Sequence, residues 1–151
     1  MSRALTDLPA LPPRVFLDTS YVIALSVRQD QHHGAAAELS ARMRGARTQL
    51  VTTRAVLIEV ANAFARQRYR TVAVEVLRAI EADRATEILA ITEDRYAAAW
   101  DLYVSRSDRE WGLTDCVSFV VMRELALTHA LTADHHFEQG GYTAMLRTGA
   151  A

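Results

Sequence analysis

Short apolar runs alternate along this chain with segments of helical period, and that alternation narrows the fold more than any other feature. Arg14–Leu17, Gln49–Thr53, Thr86–Ala90 and Ala130–Thr132 read as strands, and Tyr142–Leu146 is a candidate for a last one. Helical patterns fall between them: Ser20–Arg28, with Tyr21 to Leu25 as its apolar part, and His33–Arg44, rich in Ala and closed by Gly45. A helix capped by Thr52 or Thr53 runs through Glu59 to about Arg68, and Thr71–Ala82 places Val72, Val76, Leu77 and Ile80 on one face. Thr92–Val104, with Thr92 as its cap, and the strongly apolar Asp115–Leu127 complete the set. Strands that alternate with helices imply a parallel sheet, because crossover helices return the chain to pair in the same direction. The expected fold class is therefore α/β, a three-layer α/β/α sandwich around a central parallel sheet.

Length and charge set further bounds. With 151 residues the chain suits one domain, read here as residues 14–151, after a flexible lead-in over residues 1–13 that contains Pro9, Pro12 and Pro13. The net charge is −1, so no bulk basic field draws nucleic acid, and any such partner must be held by a local patch or by cations. All 17 basic residues other than His are Arg, which excludes Schiff-base chemistry and a phosphate-loop lysine. The single Cys, Cys116, cannot form an internal disulfide and fits a reducing compartment. No run approaches the roughly 18 apolar residues of a membrane span, and the first 13 residues lack a secretory apolar core. These readings point to a cytoplasmic protein without a membrane partner.

Four acids stand in apolar or turn-like settings: Asp18 after Val15-Phe16-Leu17, Glu59 within Ala55-Val56-Leu57-Ile58-Glu59-Val60, Asp115 at the head of an apolar run, and Asp134 after Ala130-Leu131-Thr132-Ala133. A carboxylate among apolar residues is costly to bury unless it is paired, hydrogen-bonded or bound to a metal. Each acid also has an ordinary reading. Asp18 and Asp115 fit helix starts, Glu59 an ion pair with Arg54 or Arg66, and Asp134 an Asx-turn. Together they favour convergence at one sheet edge, since ligands in such sheets gather at the carboxyl ends of strands, where Asp18 and Asp134 fall.

At these residues the chain resembles a known family. Phe16-Leu17-Asp18-Thr19-Ser20, Glu59-Val60-Ala61-Asn62, Trp111-Gly112-Leu113-Thr114-Asp115-Cys116-Val117-Ser118-Phe119 and Leu131 to Tyr142 are similar to the PIN-domain ribonucleases, most closely to toxins of the VapC type. The likeness spans about Arg14 to Leu146 and departs at Gly112, where many relatives carry a hydroxyl residue. The resemblance implies a divalent-metal-dependent endoribonuclease, the toxin of a toxin–antitoxin pair. It implies Mg²⁺ or Mn²⁺ held by Asp18, Glu59, Asp115 and Asp134, with Asp18 and Asp115 as principal ligands, which suits hard cations and oxygen donors. Thr19, Ser20 and Thr132 are expected to orient the ligands, and Asn62 to brace Glu59 or touch substrate. RNA, a cognate antitoxin protein and a second copy of the chain are the implied partners.

Other residues carry less. His135 and His136 are expected to diverge as neighbours and to mark a turn with a phosphate contact, and Cys116 is expected to be a small buried residue. Tyr96, Trp100 and Tyr103 read as core or dimer surface, while Arg42, Arg44, Arg47, Arg66, Arg68 and Arg70 are candidates for an RNA-backbone patch. A haloacid-dehalogenase-like phosphatase needs an acid where Ser20 stands and a lysine the chain lacks. The remaining alternatives are a PIN-like binding module without catalysis and a housekeeping PIN nuclease without an antitoxin.

Overall fold

The computed structural model describes residues 8–148. The first seven residues of the expected lead-in lie outside that range; within it, Leu11 packs against the core and Pro9 O accepts from Arg42 Nη2 at 2.9 Å.

Five parallel strands form one sheet: β1 (Arg14–Leu17), β2 (Gln49–Thr53), β3 (Thr86–Leu89), β4 (His129–Leu131) and β5 (Thr143–Ala144), in the spatial order β3-β2-β1-β4-β5. From β1 the chain steps outward to β2 and β3, then returns to lay β4 on the other side of β1. The point where the winding reverses is therefore the β1–β4 pair, in register at Phe16 with Ala130 and Leu17 with Leu131. Val15, Phe16, Val51, Ala130 and Leu131 are fully buried, as strands covered on both faces must be.

The helices are α1 (Thr19–Ser26), α2 (His33–Ala46), α3 (Arg54–Ala63), α4 (Arg70–Ala82), α5 (Glu93–Ser105), α6 (Leu113–Glu124), α7 (His135–Gln139) and α8 (Met145–Thr148). Several boundaries differ from the sequence reading. Helix α2 runs through Gly45 and stops at Arg47, which adopts a left-handed conformation (φ 55°) while Thr48 N–H reaches back to Met43 O at 3.0 Å. Gly45 has open space around it and needs no special backbone, so it does not end the helix. Helix α3 ends at Ala63 rather than near Arg68, because Phe64 turns inward, buried, and meets the edge of Tyr69. Thr53 caps α3 and Thr92 caps α5, each hydroxyl accepting an amide three residues on. Helix α6 starts at Leu113, two residues early, and α7 takes the place of the expected turn at His135.

An aromatic cluster ties the late elements to the sheet. Phe137 packs on Phe16 (ring centroids 6.2 Å apart) and Phe119 (5.1 Å), and Phe119 touches Trp111 (4.9 Å) and Tyr142 (5.6 Å). Gly140 lies against this cluster: a Cβ there would stand 3.3 Å from both Phe119 and Tyr142. Gly141 follows at φ 90°, a conformation few side chains tolerate.

Candidate active site

The reversal of winding places the ends of β1 and β4 side by side. Asp18 N–H donates to Leu131 O at 3.1 Å, and Thr52 Oγ1 on the other flank donates to Leu17 O at 2.8 Å. The Asp18 side chain is thus fixed at the carboxyl edge, buried to 4 % exposure. Thr132 Oγ1 donates to Asp18 Oδ2 at 2.7 Å and accepts from Asp134 N–H at 3.0 Å. Ser20 Oγ accepts from Ala133 N–H at 2.9 Å, meets Thr132 Oγ1 at 2.9 Å and lies 3.4 Å from Asp18 Oδ2. Three hydroxyl and carboxyl groups from two distant stretches of sequence therefore set each other's orientation.

Asp115 enters from the first turn of α6, where its Oδ2 accepts from Gly112 N–H at 2.9 Å. A negative group is favoured there by the helix dipole. The backbone of Gly112, which has no side-chain hydroxyl to offer, thus holds the Asp115 carboxylate itself. Asp134 caps α7, its Oδ1 accepting from His136 N–H at 2.9 Å. Glu59, half-buried on α3, makes no ion pair or side-chain hydrogen bond among the described residues.

Electrostatics join these groups. Burial pushes the Asp18 carboxyl up to about 7; the Thr132 and Thr19 hydrogen bonds oppose this, and the nearby charges of Asp115 and Glu59 add to it. Burial likewise raises Asp115 to about 6, opposed by Gly112 N–H and His136 and reinforced by Asp134 and Glu59. Asp18 thus feels the charges of Asp115 and Glu59, and Asp115 those of Asp134 and Glu59. No Arg pairs with any of them among the described residues. Among the described residues, the three donor groups that all lie within 4.8 Å of one another are those of Asp134, His135 and His136, while the four carboxylates are linked through their mutual charge. Carboxylate oxygens without a guanidinium partner are the donor type that suits a divalent cation.

The basic side chains that do reach the acids are histidines. His136 Nδ1 lies 3.1 Å from Asp134 Oδ1 and 3.6 Å from Asp115 Oδ2, and His135 Nδ1 lies 3.7 Å from Asp134 Oδ1. The two rings are 4.3 Å apart, so they do not diverge as expected. The first turn of α7 curls both back toward its cap. Periodicity gives little warning of a five-residue helix; the available signal was an Asp cap followed by buried Phe137. Other expectations fare unevenly. Thr19 offers a backbone hydrogen bond to Asp18, but its hydroxyl is buried without a partner. Asn62 is exposed and makes no hydrogen bond to Glu59 among the described residues. Cys116 is fully buried, its thiol pushed up to about 11 first by burial and then by the Asp115 charge. Tyr96, Trp100 and Tyr103 are 43–47 % exposed, so they are surface and not core.

Comparison with known proteins follows the same geometry. The PIN-domain family profile matches residues 15–141. The 23S rRNA-specific endonuclease VapC20 of Mycobacterium tuberculosis, in strains CDC 1551 and H37Rv alike, is 30 % identical over 128 residues, covering 85 % of this chain and 95 % of that protein. The crystal structure of M. tuberculosis VapC20, described as a sarcin-ricin loop cleaving toxin, superposes with a TM-score of 0.75 at 28 % identity, covering 85 % of this chain and 96 % of that one.

Proposed function

The chain belongs to the PIN-domain family and is an endoribonuclease of the VapC type, and we propose that it depends on Mg²⁺ or Mn²⁺ and acts as the toxin of a toxin–antitoxin pair. The metal dependence is supported by the buried, raised carboxyls of Asp18 and Asp115 beside the β1–β4 switch point, on which the charges of Glu59 and Asp134 also act, with no Arg counter-charge among the described residues.

In this reading Asp18 and Asp115 would be the principal residues holding the cation, with Asp134 and Glu59 completing the set. A divalent ion held there would supply Lewis-acid chemistry, lowering the pKa of a bound water and offsetting charge on the phosphate. Thr132 and Ser20 hold Asp18 in place, so that it need not reorganise when substrate arrives. Either Glu59, which has no hydrogen-bond or ion-pair partner among the described residues, or Asp134 would orient the attacking water. Arg106, Arg109 and Trp111 line a hollow of about 630 Å³ that ends at Gly112 and Leu113, beside Asp115. The Arg106 guanidinium, hydrogen-bonded to Asp108 and lying 5.0 Å over the Trp111 ring, is a candidate contact for the phosphate backbone of RNA.

By analogy with VapC20, the proposed target is an exposed loop of large-subunit ribosomal RNA. The antitoxin would place a basic side chain near the acids. A second copy would dock on the face of α5 that exposes Tyr96, Tyr103 and Val104, and all of this would occur in the cytoplasm. No helix among the described residues is long and apolar enough to cross a membrane.

The test is cleavage by purified protein of a synthetic sarcin-ricin hairpin, with a transfer-RNA pool in parallel. Cutting with Mg²⁺ or Mn²⁺ that stops in EDTA is the expected result. Undiminished cutting in EDTA rejects the metal reading, and cutting of transfer RNA alone rejects the ribosomal target.

A further inference from the structure

The family likeness accounts for four acids at the site and leaves His136 without a role. Its position is tightly determined. Its backbone amide is held by the Asp134 cap, and the next residue, Phe137, is fully buried between Phe16 and Phe119. The ring is mostly buried, with 19 % of the side chain exposed, and its Nδ1 faces two acids at once, at 3.1 Å from Asp134 Oδ1 and 3.6 Å from Asp115 Oδ2. Two ligand atoms bound at right angles to one ion, each at about 2.1 Å, stand roughly 3.0 Å apart. The nitrogen thus already sits at nearly the spacing of adjacent ligands. Donor atoms of Asp134, His135 and His136 all lie within 4.8 Å of one another, but His135 is exposed and pairs with Asp134 at 3.7 Å, whereas His136 is mostly buried and reaches Asp115 as well.

We propose that His136 is itself a ligand of the cation, so that this chain holds its ion with one imidazole nitrogen among carboxylate oxygens. The inference rests on the metal-dependent reading above and sharpens it. An imidazole nitrogen suits first-row transition ions, whereas Mg²⁺ strongly prefers oxygen and keeps several waters. The site therefore selects Mn²⁺ over Mg²⁺. The competing role is that of a resident counter-charge, which spans Asp115 and Asp134 in the empty site and leaves when the ion enters.

Pulsed electron paramagnetic resonance on the full chain loaded with Mn²⁺ separates the two. Coordinated imidazole gives a ¹⁴N modulation, expected in the wild type and in His135→Gln and absent in His136→Gln. By calorimetry, His136→Gln should weaken Mn²⁺ binding by about tenfold or more and Mg²⁺ binding much less. If Mn²⁺ binds the wild type without ¹⁴N modulation, or the modulation survives in His136→Gln, the assignment is overturned while the metal reading stands. If no Mn²⁺ binds, both fall. The wild-type spectrum decides the matter even if His136→Gln fails to fold.

Discussion

Two charged regions of the molecule solve opposite problems. On the α5–α6 flank, Arg95 grips Glu124 through two hydrogen bonds of 2.9 and 3.1 Å, and Arg106 grips Asp108 at 2.9 and 3.0 Å. Each acid there has a guanidinium and open water, and Arg95 holds the Glu124 carboxyl below its ordinary range. At the sheet edge the acids have burial and one another, and Asp18 and Asp115 are raised. Charges on the flank cost little and contribute little. Charges at the edge are kept at a cost, and a bound cation would remove that cost. The same side-chain chemistry thus gives solvated ion pairs in one place and raised carboxyls without a guanidinium, the proposed cation site, in the other.

The contrast can be broken at its strongest point by Asp18→Asn. Cleavage should fall at least tenfold, about 1.4 kcal/mol of barrier, in a single-turnover assay. Without metal the variant should nonetheless be more stable. The folded carboxyl takes up its proton near pH 7 and the unfolded one near 3.8. Between those values the folded state binds more protons, so wild-type stability falls as pH rises through the window and stays low above it. At pH 8 in EDTA, Asp18→Asn should gain on the order of 2 kcal/mol by urea unfolding. A loss of stability there would make Asp18 a structural residue.

Cation addition should reverse the deficit of the wild type. At 100 times the dissociation constant it adds about 2.7 kcal/mol, read as a rise in Tm. Asp115→Asn should lose most of that rise while unfolding no earlier in EDTA. Thr132→Val keeps the volume but removes the hydroxyl that joins Asp18, Ser20 and Asp134 N–H. It should cost about 1–3 kcal/mol in chemical denaturation, because it leaves buried polar groups unpaired. The smallest effect belongs to the flank. Glu124→Gln breaks a pair that is partly solvent-exposed, and should change stability by about 0.5 kcal/mol or less, fading further in 1 M salt. A larger, salt-resistant loss would mean the flank is no mere solvated surface.

Legibility varied with the reach of the forces involved. The strands over Arg14–Leu17 and Gln49–Thr53 and the caps at Thr53 and Thr92 were readable because composition and hydroxyl placement act within a few residues. The end of α2 was misplaced because Gly45 is only permissive, while the strand start at Gln49, fixed by Pro13 O, decides where the helix must stop. The end of α3 was misplaced because burial of Phe64 overrides helical propensity. Asn62 follows helical spacing from Glu59, yet spacing does not say which groups solvent leaves in contact.

Taken alone, the sequence determined an alternating α/β chain and four carboxylates whose neighbours were too apolar for ordinary surface positions. It did so because burial preference and turn chemistry are written in adjacent residues. Tertiary structure decided the strand order that lays β4 against β1 and the Thr132–Ser20–Asp18 network across that seam. It also decided the approach of His136 on α7 to Asp115 on α6. The Thr132–Asp18 contact joins residues 114 positions apart, and only the closing of the sheet brings them within hydrogen-bond reach.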